Sequence, residues 1–424
     1  MKVAILTLGC KTNQAESFHW EAFLGREGHR IVELEERPDI CIINTCTVTA
    51  KADYQSRQLI QRALRNKARV IVTGCYAELR GDEIRKLDDT IRVVKNSDKQ
   101  NIGALISSGT LTRTLALPVY PRQRPIVKVQ DGCDFSCSYC AITMARGRSR
   151  SVLPEEVISE VRSYEAAGYG EIVLTGIHLG LYGLDLVPRL SLSGLLKKLL
   201  HATHKVRFRL SSLEIKEVNE EILDLLSDRR LCRHLHLSIQ SGDDTVLSLM
   251  RRRYRREDLI AGLGSLVKRQ PDCGLGADII AGFPGEGEEE FRNTRELLEA
   301  FPFSYIHAFP YSRRPGTEAS SYPGQVSDEV KKRRAEVLRA IGETKRTGFI
   351  QRQSSSGKTL EVIVEQKERN GFTATSDNYI KVFLDTSAYD GPLREGMLIF
   401  ARLTGHHNGR ALGMPINSGE LLNK

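Results

Sequence analysis

The chain reads as an α/β protein built in three parts, and three patterns predict this. Short apolar runs alternate with helical stretches over residues 1–105, the signature of a doubly wound parallel α/β domain. Six strand signals separated by helical stretches follow over residues 125–352, suggesting an open (β/α)6 partial barrel with a basic connecting helix at its end. Short alternating strands then resume over residues 353–418, with turn signals at Asn370-Gly371 and Asp390-Gly391, suggesting a small OB-like β-barrel. A length of 424 residues agrees with this division, because a single core stops growing near roughly 250–300 residues.

In the N-terminal part the strand signals are Val3 to Leu8, Asp39 to Asn44 and Arg69 to Val72, with helices near 14–28 and 50–67. Each run ends near a cysteine: Cys10, Cys46 and Cys75. Parallel strands share one carboxyl edge, which is where such sheets bind ligands. Three thiols far apart in sequence are therefore expected to converge. Cys41 lies inside its strand, and it, Cys232 and Cys273 read as core residues.

Residues 106–124, with Pro118 and Pro121 close to Arg122 and Arg124, read as a linker. The six central strand signals are Ile126 to Gln130, Glu171 to Thr175, Lys205 to Leu210, His234 to Ile239, Leu275 to Ala281 and Tyr305 to Phe309. Barrel active sites lie at the carboxyl ends of such strands, and Cys133-Asp134-Phe135-Ser136-Cys137-Ser138-Tyr139-Cys140 follows the first of them. A [4Fe–4S] cubane takes four thiolates, so a loop offering three leaves one iron open to a substrate or cofactor. The competing reading is part of a zinc site, which needs a fourth ligand usually found in a second cysteine pair. No such pair lies nearby.

Composition sets further bounds. Hydrophobic residues make up 40% and charged residues 27%, close to the globular average. The N-terminal apolar run is too short for a signal peptide, and no run approaches the ~18 apolar residues of a membrane helix. A cytoplasmic protein without membrane association is expected, and nine cysteines there point to metal or catalysis rather than disulfides. The net charge of +9 suggests a polyanionic partner.

The spacing C-x3-C-x2-C, with Tyr139 before the third cysteine, resembles the signature of radical S-adenosylmethionine enzymes. In that family the open iron is chelated by the amino and carboxylate groups of S-adenosylmethionine, and one electron cleaves it to a 5′-deoxyadenosyl radical. Two three-cysteine clusters followed by a β-barrel are similar to the methylthiotransferase branch, and the resemblance covers essentially the whole chain. Arg146-Gly147-Arg148-Ser149-Arg150, Leu235 to Gly242, Asp278 to Gly285 and Tyr311 to Thr317 extend it in order.

The resemblance implies two [4Fe–4S] clusters, one on Cys133, Cys137 and Cys140 and an auxiliary one on Cys10, Cys46 and Cys75. It also implies two molecules of S-adenosylmethionine per turnover, a one-electron reductant, and a C-terminal RNA-binding module of TRAM type. Three substrate classes occur in the branch: isopentenyl-type adenosine in tRNA, threonylcarbamoyl-adenosine in tRNA, and an aspartate of a ribosomal protein. Cys10-Lys11-Thr12-Asn13-Gln14 resembles the threonylcarbamoyl-adenosine group. An alternative of another class is a non-catalytic iron–sulfur RNA-binding protein.

Candidate cofactor contacts are the strand-end residues Thr175, Gly176, Glu214, Ser238, Gln240, Gly282 and Phe283, together with Tyr139. His178 follows the second strand and reads equally well as structural. For tRNA, with no DNA partner expected, the candidates are Arg146, Arg148, Arg252, Arg253 and Tyr254, the last as a base-stacking ring. Residues 354–424 hold eight Lys or Arg against eight Asp or Glu. RNA contacts there must rest on His406, His407 and aromatics such as Phe372 and Tyr379.

Overall fold

The structure is a computed structural model that describes residues 1–106, 123–355, 357–387, 389, 391–407 and 409–416. Most of the expected linker, Asp390 of one expected turn and residues 417–424 lie outside the described residues. Strands β1 (Lys2–Thr7), β2 (Arg30–Ile31), β3 (Ile40–Thr45), β4 (Arg69–Gly74) and β5 (Arg92–Val93) form a parallel sheet in the order β2-β1-β3-β4-β5. Helices cover both faces, which is why β3 is buried at every position and its apolar run shows no alternation. Ile43, Ile60 and Val70 pack on one side, Val3, Trp20 and Ile71 on the other. The two-residue edge strands β2 and β5 were not expected, since two residues carry no periodicity.

In the centre, β6 (Ile126–Lys128), β7 (Gln130–Asp131), β8 (Arg150–Ser151), β9 (Glu171–Thr175), β10 (Arg207–Leu210), β11 (His234–Gln240), β12 (Gly274–Ala281) and β13 (Tyr305–Pro310) follow in sequence. Six of these are parallel in two groups, β10-β9-β6 and β11-β12-β13, joined by the bridges Phe208–Leu231 and Leu213–Leu237. The expected first strand is split. Its backbone leaves the sheet at Lys128, and β7 pairs antiparallel with β8 as a ribbon at the neck of the cysteine loop. Ala15 of helix Lys11–Arg26 joins the barrel core, so the N-terminal part packs beside the edge strand β6.

Strands β14 (Thr359–Glu368), β15 (Gly371–Ser376), β16 (Lys381–Asp385), β17 (Leu398–His407) and β18 (Arg410–Ile416) close a barrel in the order β14-β15-β16-β18-β17. Only β16 and β18 run parallel. Helix Asp328–Ser355 places Ala335 and Leu338 in the central core and Phe349 and Ile350 in the C-terminal core, tying the two together. Its Arg334 pairs with Glu286 at 2.9 Å.

The C-terminal barrel docks on the amino ends of the central strands. Arg207 and Arg209, almost fully buried, both bind Glu171 and reach across to it: Arg207 Nη1 donates to the Glu361 carbonyl at 2.9 Å and Arg209 Nη2 to that of Ser376 at 2.8 Å. Burial works against the Glu171 carboxylate, but the two guanidiniums hold its pKa well below the usual range. Glu171→Gln leaves buried Arg209 without its counter-ion and Arg207 with Glu361 alone, and is expected to destabilise the protein by about 3 kcal/mol. An unchanged melting temperature would show that this docking does not depend on the pair. With the amino ends covered, the carboxyl ends remain for chemistry.

Candidate active site

The ribbon of β7 and β8 pinches off the loop from Gly132 to Ser149. Inside it the Cys133 amide donates to the Gly147 carbonyl at 3.1 Å, and the Cys140 amide to that of Cys137 at 3.1 Å. Ser138 Oγ donates to the Leu249 carbonyl at 2.6 Å, anchoring the loop to the far side of the barrel. Tyr139 meets Phe283 edge-to-face, with centroids 6.2 Å apart.

Two groups reach the sulfurs that sequence reasoning had placed elsewhere or left open. His178 Nδ1 lies 3.3 Å from Cys133 Sγ while its Nε2 pairs with Glu217. Burial disfavours the imidazolium, yet the bonds to Cys133 and Glu217 hold its pKa up at about 10. Arg252 Nη1 donates to Cys137 Sγ at 3.4 Å, and Arg252 Nη2 pairs with Glu214 at 2.7 Å and donates to the Ser238 carbonyl at 3.0 Å.

Of the candidate cofactor contacts, Glu214 and Ser238 are thus gathered beside the thiols by Arg252. Gln240 ends β11 with a φ of 67°, where the pairing with β12 slips. Thr175 is buried and its carbonyl accepts the Val129 amide, with Gly176 packed against Gln130. Gly282 donates its amide to Glu286 at 2.7 Å, while Phe283 is wholly buried among Tyr139, Tyr311 and Tyr322. Phe283 therefore supports the loop from below rather than presenting a face to a ligand.

The RNA assignments divide. Tyr254 is 3% exposed, and its hydroxyl donates to the Ser238 and Ile239 carbonyls, so it cannot stack on a base. The side chain of Arg252 is 5% exposed and spent on Glu214. Arg146 is buried as well. Arg148 and Arg253 stay exposed, Arg253 lying 3.7 Å over the Phe135 ring. In the C-terminal barrel half-buried Tyr379 stacks on His234 at 4.3 Å, and half-buried Phe372 packs on the barrel core.

The second thiol set forms at the carboxyl edge of the N-terminal sheet. Cys10 caps helix Lys11–Arg26, Cys46 follows β3, and Cys75 opens the helix after β4. Gly9 and Gly74, at φ 96° and 98°, make this approach possible. A Cβ on Gly9 would lie 2.7 Å from Cys46 Sγ, and one on Gly74 2.3 Å from the Thr45 carbonyl oxygen. Asn13 Nδ2 ties the edge together through the Leu8 and Thr45 carbonyls at 2.8 and 3.0 Å. Burial pushes the Cys46 thiol up to about 12, and that of Cys140 to about 12, so a ligand there must displace a proton.

A buried polar network joins the two sets. Arg146, six residues beyond Cys140, donates to Glu16 and Asp131, both at 2.8 Å, to Asn13, and interacts with Cys75. Lys99 and Lys128 bind the same Glu16 at 2.6 and 3.0 Å. Arg314, from the Tyr311–Thr317 segment, holds Asp53 and Thr47 at 2.5 and 2.7 Å, beside Cys46. The sequence showed these basic residues without their partners.

Among the described residues neither trio packs three ligand atoms within 4.8 Å of one another, the crowding a single ion requires. A trio of thiols suits a multi-iron cluster with one position left over. Residues 127–298 match the Radical SAM superfamily, and residues 2–95 match a family described as Uncharacterized protein family UPF0004. The chain is 36% identical over 402 residues to the threonylcarbamoyladenosine tRNA methylthiotransferase MtaB of Aquifex aeolicus, covering 90% of this chain and 96% of that one.

This chain belongs to the radical S-adenosylmethionine methylthiotransferase family. The MtaB of Bacillus subtilis is 37% identical, over 90% of this chain and 89% of that one. The tRNA-2-methylthio-N(6)-dimethylallyladenosine synthase of Syntrophus aciditrophicus is 30% identical, over 88% and 87%. Among solved structures, the radical S-adenosylmethionine methyltransferase TsrM of Kitasatospora setae, with cobalamin and a [4Fe-4S] cluster bound, aligns with a TM-score of 0.57 at 17% identity, over 75% of this chain and 77% of that one, a likeness of fold. The methylthiotransferase is thus an S-adenosylmethionine-dependent transferase that uses two [4Fe–4S] clusters. No helix among the described residues is long and apolar enough to cross a membrane.

Proposed function

We propose that the protein converts N6-threonylcarbamoyladenosine, next to the anticodon of tRNA, into its 2-methylthio derivative. The observation that carries this reading is near-full-length similarity to MtaB enzymes of several bacteria, in a chain whose two thiol trios share one buried network. The adenine C2–H has no usable acidity, so positioned acids and bases cannot activate it. Bound on Cys133, Cys137 and Cys140, and on Cys10, Cys46 and Cys75, the clusters supply cofactor cleavage and the sulfur, with a second S-adenosylmethionine giving the methyl group.

The protein's own residues prepare that chemistry. Arg252 fixes Cys137 relative to Glu214 and Ser238, which with Gln240, Thr175 and Gly176 line the cofactor's place. His178, braced by Glu217, does the same for Cys133. The edge-to-face contact of Tyr139 with Phe283 packs the underside of the loop. A one-electron reductant completes the requirement.

Mass spectrometry of tRNA nucleosides from cells lacking the protein tests the reading. Loss of 2-methylthio-N6-threonylcarbamoyladenosine alone, restored by the intact chain, is the expected result; loss of a methylthio-isopentenyl nucleoside instead would overturn the substrate. For tRNA binding, Arg148 and Arg253 are the exposed candidates, and the C-terminal barrel is a further one. Arg148→Ala with Arg253→Ala is expected to weaken tRNA binding and lower the salt slope by about 1 for each phosphate that is no longer neutralised. An unchanged slope would place the RNA elsewhere.

A further inference from the structure

Below the layer of Ser238 and Gln240 the barrel lumen carries a polar cluster that the radical chemistry does not use. Side chains on one strand face recur every second residue, so His236 lies one step beneath Ser238 on β11, roughly 7 Å at 3.3 Å per residue. Asp278 on β12 pairs with His236 Nε2 at 3.0 Å and with His307 Nδ1 of β13 at 3.3 Å. Tyr305 closes the floor, its hydroxyl 2.9 Å from His236 Nδ1 and 2.8 Å from His234 Nε2. His307 and Phe309 remain open, at 54% side-chain and 45% residue exposure.

Lys11 lies close to this space. It follows Cys10 directly, and its electrostatic neighbours are Arg209, Arg124, Glu171 and Asp278, all of the central part or its N-terminal approach. Among the described residues no carboxylate is within ion-pair distance of its ammonium, and the carboxylates nearest in the lumen are already engaged, Glu171 by two arginines and Asp278 by two histidines. An ammonium without a carboxylate partner and an open imidazole are therefore both within reach of Asp278. The N6 substituent of the substrate proposed above ends in a carboxylate and a hydroxyl, whereas the isopentenyl type is apolar.

We propose that Lys11 and His307 bind the carboxylate of the threonylcarbamoyl group in the barrel lumen, with His236 and Asp278 holding His307 in place. This rests on the substrate reading above. A site built to hydrogen-bond a polar group rejects the analogue lacking it far more strongly than an apolar pocket rejects an extra one, and an ammonium bonded to a carboxylate is among the stronger interactions possible.

The test uses the holoenzyme with both clusters loaded and three anticodon stem-loop RNAs, bearing threonylcarbamoyladenosine, its methyl ester, or isopentenyladenosine. The intact protein should prefer the acid over the ester by at least about 100-fold in kcat/KM. His307→Leu and Lys11→Met should each raise KM for the acid about tenfold, leave the ester's value unmoved, and so cut the preference about tenfold. Iron content and the electron paramagnetic resonance of the reduced clusters show whether each variant is intact. If Lys11→Met loses iron, His307→Leu carries the test, with His307→Gln expected to recover part of the preference.

Equal use of acid and ester by the intact protein, or an equal fall for both in the variants, overturns this pocket while leaving the substrate standing. Methylthiolation of the isopentenyl RNA alone overturns the substrate reading itself.

Discussion

Cys137→Ala is expected to abolish reductive cleavage of S-adenosylmethionine, whereas Cys75→Ala is expected to leave cleavage in place and remove the methylthiolated product. The two thiols belong to separate trios, one in the loop between β7 and β8 and one at the N-terminal sheet edge, so each variant should lose about half the iron. Neither change should unfold the chain. Cys75 is 3% exposed, but its neighbour Arg146 keeps Glu16, Asp131 and Asn13, and a cavity the size of one sulfur costs about 1 kcal/mol. The measurement is 5′-deoxyadenosine and methylthio nucleoside released by the reduced protein with tRNA. Cleavage by Cys137→Ala, or its loss in Cys75→Ala, would show that the trios do not divide the work in this way.

Glu16→Gln is expected to give the largest loss of stability. Glu16 is 6% exposed and holds Arg146, Lys128 and Lys99, which come from the cysteine loop, β6 and the end of the N-terminal part. Burial alone would raise its pKa, but those three cations hold it well below the usual carboxylate range. Without the charge the ion pairs of Arg146 and Lys128 with Asp131 stand without their shared Glu16 partner, and breaking a buried set of this kind costs about 3–5 kcal/mol.

The sign with pH follows from the same depression. Glu16's contribution is fully present above its unfolded value, about 4.3, and is lost as pH falls through the lower folded value. The intact protein should therefore lose stability on acidification below about pH 4 to a greater extent than Glu16→Gln. Thermal unfolding of both proteins between acid and neutral pH checks this. Equal melting temperatures at neutral pH would remove the network from any role in joining the two parts.

Much of the fold was legible because parallel strands buried on both faces appear as plain apolar runs. β9 was read with its observed bounds, and the other central strands within one or two residues, except the first, where the backbone leaves the sheet at Lys128. β2 and β5 were missed for want of length. The six thiols were legible because each follows a strand end, and a parallel sheet must bring such ends to one edge. The basic residues were not. Arg251 to Arg256 looked like an RNA patch, yet Arg252 and Tyr254 turn inward to Glu214, Cys137 and Ser238, and only Arg253 of the three candidates there stays on the surface.

By itself, the sequence determined where strands and helices lie and which cysteines stand at their ends, because periodicity and strand termini are local properties. Tertiary structure alone decided which cations stay at the surface and which meet buried carboxylates. Arg146 finds Glu16 across 130 residues of chain, and Arg314 finds Asp53 across 261. No local pattern records such a pairing, since a guanidinium has the same spacing in the sequence whether water or a buried carboxylate receives it.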